Sequence, residues 1–333
     1  MVTYWQIAAG SNGRDYSSFF LKYGIAFVGG DSQIASMSEV KKGDIVTLKQ
    51  GRTTIIAAGR VIEVDGIHSG YGDKEWLSDF DGWDLPAYCY VEWLKPKKLC
   101  MTDGLTRSTI QRVHQSHHKS LINNILETGE RVVPETEPDI TKKIDDNSLL
   151  KFLICEGLRP SSANELAGTI SKIRLLAQYY YSECYWDDVR EHETRTFLVI
   201  PFLLALGWSE QQIKIELSCS SGRIDIACFK RNYCRNNEEC LVIIETKGFS
   251  SGLDYAPAQA VAYSKDFPQC KSVIVTNGYC YKVYLRDAEH NQFTTEPAAY
   301  LNILNPRERY PIDPANVDGG LNAIKWLLPN TFL

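Results

Sequence analysis

Residues 222–248 read GRIDIACFKRNYCRNNEECLVIIETKG, and this stretch decides the fold predicted for the second half of the chain. Apolar residues alternate with others over 223–229, which is typical of a strand with one buried face. Residues 240–247 begin as a continuous apolar run, as in a strand at the centre of a sheet. Two neighbouring strands are therefore predicted, and each contains an acidic residue, Asp225 in the first and Glu245 in the second.

The acidic residues of these strands point to chemistry on a phosphate. Glu245 and Lys247 are two residues apart, so both side chains lie on the same face of their strand. An Asp and a Glu on neighbouring strands can share a divalent cation, and their hard oxygen atoms suit Mg²⁺. An ammonium group beside that cation can orient a water molecule and stabilise charge that develops on a phosphate. Asp225, Glu245 and Lys247 therefore indicate a site that hydrolyses a phosphodiester.

The alternative is that Asp225 and Glu245 are ordinary surface charges at strand ends. A charged side chain within an apolar run is costly unless it is paired or binds a ligand. Two such runs, one with Asp and the other with Glu-x-Lys, favour a site over a coincidence.

The rest of the second half predicts an α/β domain over residues 151–333. Some segments have apolar residues at helical spacing, and Ser162 and Glu165 have the spacing of a capping box that begins one helix. The predicted helices are 148–156, 162–182, 187–206 and 254–267, and the predicted strands, besides the two above, are 213–217, 272–276 and 280–284.

The first 100 residues predict a second domain of a different kind. Short apolar segments separated by turns are typical of closely spaced strands that form a small β-barrel. The predicted strands are 4–9, 25–28, 45–48, 54–58, 60–64 and 87–93, with a short helix at 17–23 and a long loop at 66–86. Residues 101–150 are predicted as a helical connector, with a helix over 105–128 and a linker over 129–147.

Length and charge agree with two domains and exclude some classes of protein. A chain of 333 residues is long enough for two cores. With 36 basic against 41 acidic residues the net charge is −5, which excludes a polybasic coat, so contact with nucleic acid requires a local patch. No apolar stretch reaches membrane-spanning length and the first residues lack a signal-peptide pattern, so a cytoplasmic protein without a membrane segment is expected.

Two further sets of potential metal ligands have simpler explanations. The 10 cysteines are scattered without a C-x-x-C pair, which favours buried free thiols in a reducing compartment. Cys234 and Cys240 could bind zinc, but metal sites favour closer pairs. His114, His117 and His118 have the spacing of a metal site on a helix, yet without a Cys or Asp partner nearby a solvated helix face is favoured.

Four elements in order resemble the PD-(D/E)XK nuclease superfamily over residues 185–290. They are Glu193-Thr194-Arg195 with the segment 201–208 after it, Gly222-Arg223-Ile224-Asp225, Ile244-Glu245-Thr246-Lys247-Gly248, and Gln259 with Tyr263 four residues later. The first element is similar to the opening helix of the nuclease domain in type I restriction subunits. The resemblance implies a restriction-endonuclease-like α/β core. It departs from the family pattern before Asp225, where the usual Pro is absent.

This resemblance also implies roles for the matching residues. Asp225 and Glu245 would hold Mg²⁺, for which Mn²⁺ can substitute, and Lys247 would assist the attacking water. Glu193 and Gln259 would support the metal or the water.

Three residues near these elements have more than one interpretation. Arg223 and Tyr263 are candidate phosphate contacts, but Arg223 could equally pair with Glu216 or another carboxylate. Glu216 could be a further metal ligand, although a polar position on the face of its strand is favoured.

The first 98 residues resemble PUA-like domains, most closely EVE-type readers of modified bases. The residues that carry this resemblance are Tyr4-Trp5-Gln6-Ile7, the segment 24–29, Lys42-Gly43-Asp44 and Gly59-Arg60. Readers of this kind hold a flipped base in an aromatic pocket. The candidate pocket residues here are Trp5, Trp76, Trp83, Trp93 and Asn12, with Arg14 as a candidate phosphate contact. For each tryptophan the alternative is a place in the core or as the anchor of a loop.

Together the two resemblances imply a modification-dependent DNA endonuclease of a restriction or phage-defence system. Its first domain would read a modified base in double-stranded DNA, and its second would hydrolyse the backbone. A double-strand cut needs two active sites, so a homodimer, at least on DNA, is expected. One alternative keeps the nuclease but has the first domain sense RNA, a nucleotide signal or a partner. A second is a non-catalytic nucleic-acid-binding protein, against which the intact Asp, Glu-x-Lys and Gln set argues.

Overall fold

The computed structural model describes residues 2–10, 14–182, 188–254, 256–287, 289 and 291–332. The chain forms two compact units, Met1–Pro138 and Asp139–Leu333. Each unit contains helices and a sheet, which agrees with the predicted two-domain α+β class. The division falls inside residues 101–150, the range predicted as a connector. No described helix is both long enough and apolar enough to cross a membrane.

The first unit is built on a curled sheet. Its strands are β1 (Tyr4–Ala8), β2 (Ile25–Val28), β3 (Ile45–Gln50), β4 (Thr54–Val61), β5 (Ser69–Tyr71), β6 (Ala87–Lys95), β7 (Cys100–Met101), β8 (Ile110–Arg112) and β9 (Glu130–Arg131). Its helices are α1 (Ser17–Lys22), α2 (Asp31–Ser38) and α3 (Ser116–Thr128), with a 3₁₀ turn at Glu75–Asp79. The described strands run in the order β2-β6-β4-β3-β1-β8, while β5 and β9 pair with β6, and β7 pairs with β4.

Three predicted elements of this unit differ from the structure, and the loop predicted at 66–86 and the linker predicted at 129–147 contain the short strands β5 and β9. The first part of the helix predicted over 105–128 contains β8 instead, because Ile110 pairs with Ile7 of β1. The strands predicted at 54–58 and 60–64 form the single strand β4, because β4 stays paired with β6 through this stretch. A strand partner that is distant in sequence decides both cases, and the local apolar pattern does not reveal it.

The second unit contains a sheet of six described strands, flanked by helices. Its strands are β10 (Ile213–Cys219), β11 (Gly222–Phe229), β12 (Cys240–Thr246), β13 (Ser272–Thr276), β14 (Cys280–Leu285) and β15 (Ala299–Asn302). Its helices are α4 (Asp146–Cys155), α5 (Pro160–Ser182), α6 (Glu191–Thr194), α7 (Ile200–Ala205), α8 (Ala256–Tyr263) and α9 (Gly320–Lys325), and a π-helical turn at Arg195–Val199 joins α6 to α7. The strands lie in sequence order; β12 and β13 are parallel and the other neighbours are antiparallel.

The centre of this sheet agrees with the apolar pattern of the sequence. β12 is buried along its whole length, as its continuous apolar run predicts. Because parallel neighbours need a crossover connection, α8 lies between β12 and β13 in the chain, and it packs against β11, β12 and β13. The start of β11 and the end of β12 therefore meet at one end of the sheet, beside α8.

The helix predicted at 187–206 is divided into α6, the π-helical turn and α7. Pro201 has no N–H to donate to the carbonyl of Phe197, so the regular hydrogen-bond ladder is interrupted here. Single π turns inside helices are frequent at functional sites. The first residue of this turn, Arg195, is buried.

Gly278, in the turn between β13 and β14, allows the π-helical turn to lie against the sheet. Its φ is +94°, and a Cβ there would meet Leu198 Cδ1 at 2.5 Å and Thr194 Cγ2 at 2.8 Å. We expect Gly278→Ala to lower the free energy of unfolding by about 2–4 kcal/mol, because backbone strain and overpacking add.

Gly157→Ala is the matched control, since Gly157 has a φ of +92° but a Cβ there meets no described atom within 4 Å. Only the backbone strain acts in Gly157→Ala, so we expect its free energy of unfolding to fall by about 1 kcal/mol. Urea denaturation of the two variants measures the difference, and equal losses would contradict the close packing at Gly278.

Candidate active site

Asp225 and Glu245 lie on neighbouring strands at the end of the sheet beside α8. Ile226 of β11 pairs with Ile244 of the antiparallel strand β12, so Asp225, one position before Ile226, is adjacent to Glu245, one position after Ile244. Asp225 Oδ2 accepts hydrogen bonds from the Thr246 backbone N–H (2.7 Å) and from Thr246 Oγ1 (2.9 Å). These bonds fix the Asp225 carboxylate against the end of β12.

Lys247 and Glu245 form an ion pair at the same end of β12. Lys247 Nζ lies 2.6 Å from Glu245 Oε1. Glu245 is 2% exposed, and its Oε2 is buried without a hydrogen-bond partner among the described residues. Burial raises the pKa of Glu245 to about 7; the hydrogen bond from Lys247 opposes this rise and the charge of Asp225 adds to it. The ionised form of Glu245 is therefore costly unless a further cation or donor reaches Oε2.

Helix α8 brings Gln259 and Tyr263 to Lys247. The two residues are four apart, so they share one face of the helix. Lys247 Nζ donates to Gln259 Oε1 at 3.4 Å, and Gln259 Nε2 donates to the Tyr263 hydroxyl at 2.7 Å. Tyr263 is buried and reaches the site through Gln259. Its contact with a phosphate stays a prediction.

Of the two glutamates in α6, it is Glu191 that lies beside Asp225. The side chain of Glu191 is close to Asp225, and burial, followed by the charge of Asp225, raises the pKa of Glu191. Glu193 Oε2 instead accepts a hydrogen bond from the Arg190 N–H (3.1 Å), at the start of α6. The structure thus gives to Glu191 the position that the resemblance assigned to Glu193.

A signal in the sequence could have selected Glu191. Residues two apart on a helix point about 200° apart around its axis, so only one of the two glutamates can face Asp225. Arg195 comes four residues after Glu191, and such pairs share a helix face. Arg195 Nη2 lies 3.9 Å from Glu191 Oε1.

Arg195 is a buried arginine among carboxylates. Its Nη1 lies 3.5 Å from Asp225 Oδ1, and its Nη2 lies 3.5 Å from Glu216 Oε1. The other oxygen of Glu216, Oε2, lies 3.1 Å from Arg223 Nη1. Of the two interpretations of Arg223, the pairing with Glu216 is therefore present in the structure, and Glu216 itself is held by two arginines.

The carboxylates of the site fit a hard divalent cation. In the part of the chain that the structure describes, no three His, Cys, Asp and Glu side chains converge closely enough to form a complete metal site. Mg²⁺ does not need such a set, since one or two carboxylates usually bind it and water and phosphate oxygens complete its shell. A cation would satisfy Glu245 Oε2, which is buried and lacks a described partner. Asp225 and Glu245 could therefore hold Mg²⁺, or Mn²⁺ in its place.

Glu245→Gln is expected to stabilise the metal-free protein at pH 8 by about 1–3 kcal/mol. The pKa of Glu245 in the folded protein, about 7, lies above its ordinary value of 4.5. The wild type therefore loses stability as the pH rises from about 4.5 to about 7, whereas Gln does not titrate. The gain in the free energy of unfolding should be small at pH 5 and complete at pH 8. Urea denaturation in the presence of EDTA measures it.

Glu238→Gln provides the control for this measurement. Glu238 is an exposed carboxylate of the same unit. We expect its effect on the free energy of unfolding to stay within about 0.5 kcal/mol at both pH values. A gain from Glu245→Gln that is equal at pH 5 and pH 8 would contradict the burial of an ionisable group at Glu245.

Three of the tryptophans predicted to line a base pocket are interior residues of the first unit. Trp5, Trp76 and Trp93 are 2%, 6% and 1% exposed. Trp5 Nε1 donates to Asp44 Oδ2 and Trp76 Nε1 donates to Glu137 Oε2, each at 3.1 Å. Large aromatic rings contribute much of the apolar surface that a small core buries. The structure thus places these three tryptophans in the core and not in the walls of an open pocket. A place in the core was the alternative interpretation of each of them.

Trp83 and Arg14, two further residues of the predicted pocket, contact each other. Trp83 is half-buried, and Cζ of Arg14 lies 3.7 Å from the centre of its ring in a cation–π contact. Arg14 is itself 5% exposed, so its guanidinium makes its contacts inside the unit and is not presented to a phosphate. Asn12 lies outside the described residues.

The histidines and cysteines considered as zinc ligands have other environments. His118 is buried, and its Nε2 lies 2.8 Å from the Asp103 carbonyl oxygen. Cys240 is buried within β12, whereas Cys234 is exposed. His118 thus does not lie on a solvated helix face, contrary to the interpretation favoured for it, and Cys234 is not one of the buried thiols that the sequence predicted.

A comparison with protein families relates the second unit to restriction enzymes. Residues 190–297 match the family model described as Type I restriction enzyme R protein N terminus (HSDR_N). The matched segment contains Glu191, Arg195, Asp225, Glu245 and Lys247. It is less than half of the chain, and no curated protein matches the sequence. The match supports a restriction-related role that involves nuclease activity and contact with DNA.

Proposed function

We propose that the second unit is a Mg²⁺-dependent endodeoxyribonuclease of the PD-(D/E)XK type. The observation that carries this proposal is the convergence of Asp225, Glu245 and Lys247 at one end of the sheet, with Glu245 Oε2 buried and lacking a described partner. The family match supports it, because the segment that contains these residues is similar to a restriction-enzyme R protein.

Each residue of the site has a task in phosphodiester hydrolysis. Mg²⁺ held by Asp225 and Glu245 would supply a Lewis acid for the scissile phosphate. Lys247 Nζ, fixed by Glu245 and Gln259, orients the attacking water and stabilises the charge that develops on the phosphate. The water oxygen bonds to phosphorus, one phosphorus–oxygen bond to a sugar breaks, and the leaving oxygen takes a proton from solvent water. Glu191, whose pKa is raised, is placed to accept the proton of the attacking water.

We further propose that the first unit reads a modified base in double-stranded DNA and that this capture licenses cleavage. The resemblance to PUA-like and EVE-type readers supports the proposal, as does the half-buried Trp83 beside Arg14. A net charge of −5 gives little non-specific affinity for DNA, which suits an enzyme that waits for a captured base. Cleavage of both strands requires two sites, so the active species is a homodimer on DNA.

Cleavage of a panel of DNAs tests the nuclease. The purified full chain is incubated with plasmid and phage DNAs that are unmodified or carry different base modifications, in Mg²⁺, Mn²⁺ or EDTA. We expect cleavage of at least one modified DNA with either cation and none with EDTA. Intact DNA across the whole panel in the presence of both cations would contradict the nuclease proposal.

A gel-shift competition tests the reader separately. Modified duplex, plain duplex, RNA and free nucleotides compete for the full chain in EDTA, so that cleavage does not interfere. We expect modified duplex to compete best. Equal competition by plain and modified duplex would contradict base reading and would leave the nuclease proposal standing.

A further inference from the structure

Arg195 is a buried charged residue to which the nuclease mechanism above assigns no task. It is 4% exposed and begins the π-helical turn. A buried guanidinium is stable only where carboxylates and hydrogen-bond acceptors surround it. Its described polar partners are Asp225 Oδ1 (3.5 Å), Glu216 Oε1 (3.5 Å), Glu191 Oε1 (3.9 Å) and His192 Nδ1 (3.0 Å). Arg195 therefore joins three carboxylates of the site.

Arg195 and Thr246 hold the Asp225 carboxylate from opposite sides. Thr246 donates two hydrogen bonds to Oδ2, and Arg195 lies against Oδ1. Since Oδ2 already accepts two donors, a cation at Asp225 would be bound through Oδ1. The oxygen best placed to bind metal is thus the one whose direction Arg195 restrains.

Glu216 holds Arg195 in turn, from a strained position in β10. Its φ is +53°, and the strand register is the same on both sides of it, with Ile215 opposite Ile226 and Leu217 opposite Ile224. Backbone strain of this kind persists where the surrounding structure fixes it, and it is frequent at functional sites. The Glu216 carboxylate contacts both Arg195 and Arg223, so this strained position of β10 supplies an anchor for the Arg195 guanidinium.

We propose that Arg195 is a positioning residue that fixes the direction of Asp225 Oδ1 and thereby raises the affinity of the site for Mg²⁺. This inference rests on the proposed function. A planar guanidinium can hold two carboxylates in fixed directions, whereas an ammonium group acts as a point charge. Groups that orient metal ligands contribute about 10–100-fold to metal affinity.

The positioning role and simple charge repulsion predict opposite changes in the metal affinity of the site when Arg195 loses its charge. A positive guanidinium repels a cation, so repulsion alone makes the metal bind more tightly when Arg195 loses its charge. Positioning makes the metal bind more weakly. The sign of the change in metal affinity therefore distinguishes the two.

Binding of Mn²⁺ to the full chain without DNA, measured by electron paramagnetic resonance of the free ion, tests the inference. Arg195→Lys keeps the charge but loses the planar fork, and Arg195→Gln also removes the charge. We expect the Kd for Mn²⁺ to rise about tenfold or more in both variants. The control is Arg174→Gln, which breaks a 2.8 Å ion pair with Asp146 in the same unit, and we expect its Kd within about twofold of the wild type.

Two results would overturn the inference in different ways. Wild-type binding of Mn²⁺ together with an unchanged or lower Kd in folded Arg195→Lys overturns the positioning role alone. Circular dichroism verifies the fold, and Arg195→Lys decides the question if Arg195→Gln does not fold. A wild-type chain that does not bind Mn²⁺ overturns the proposed function and the inference with it.

Discussion

Lys247→Ala is expected to lower the rate of DNA cleavage by about 10³-fold, with DNA affinity changed by less than about threefold. Lys247 Nζ lies 2.6 Å from Glu245 Oε1 and 3.4 Å from Gln259 Oε1, so it is held where water and phosphate would meet the carboxylates. Its removal takes away the positive charge that stabilises the reacting phosphate. Single-turnover cleavage at saturating protein measures the chemical step apart from binding.

Lys325→Ala is the matched control for the loss of cleavage rate in Lys247→Ala. Lys325 of α9 also forms an ion pair in the second unit, with its Nζ 3.4 Å from Glu156 Oε1, but it lies outside the candidate site. We expect its cleavage rate to stay within about twofold of the wild type. If Lys247→Ala cleaved within tenfold of the wild type, Lys247 would not be the group that acts on the phosphate.

Glu191→Gln is expected to lower the cleavage rate by about 10²-fold, and Glu193→Gln by less than about threefold. Glu191 is close to the Asp225 carboxylate, and its raised pKa suits a group that accepts a proton. Glu193 accepts the Arg190 N–H at the start of α6, and the amide oxygen of Gln can accept the same bond. The two variants change the same kind of side chain, two residues apart on one helix.

The comparison of these two variants decides which glutamate of α6 acts in catalysis. Single-turnover rates are measured with Mg²⁺ for both, and thermal unfolding shows that both are folded. A large loss in Glu193→Gln together with a wild-type rate in Glu191→Gln would restore the assignment that the resemblance implied.

The strands that carry the site could be predicted because their pattern is local. The alternation over β11 and the continuous apolar run of β12 each identify a strand without knowledge of its partner. The two-residue spacing of Glu245 and Lys247 then places both side chains on one face. For the same reason the four-residue spacing of Gln259 and Tyr263 predicted one helix face.

Other parts of the site could not be predicted because they depend on contacts between distant segments. The spacing of Glu191 and Arg195 puts these two on one helix face, but it is the packing of α6 that brings this face to Asp225. Arg195 is buried by Glu216 and Asp225, which come from two different strands. A sequence shows neither the positive φ of Glu216 nor the π-helical turn that begins at Arg195.

The tryptophans of the first unit illustrate a further limit. An aromatic residue in a Gly- and Asp-rich loop is equally compatible with a pocket wall and with a core anchor. Trp76 lies in such a loop but is buried against Tyr23 and Phe27, whereas Trp83 in the same loop is half-buried. Tyr23 and Phe27 are about 50 residues away in sequence, so the burial of Trp76 again depends on distant contacts.

The most direct test of the proposed nuclease compares wild-type protein and Asp225→Asn on the same panel of modified and unmodified DNAs, with Mg²⁺ and with EDTA. The substitution keeps the shape of the side chain and its acceptor for Thr246, but it removes the charge that binds the cation. We expect the wild type to cut at least one modified DNA with Mg²⁺, and Asp225→Asn to cut none. Mg²⁺-dependent cleavage by Asp225→Asn at the wild-type rate would contradict the assignment of this site.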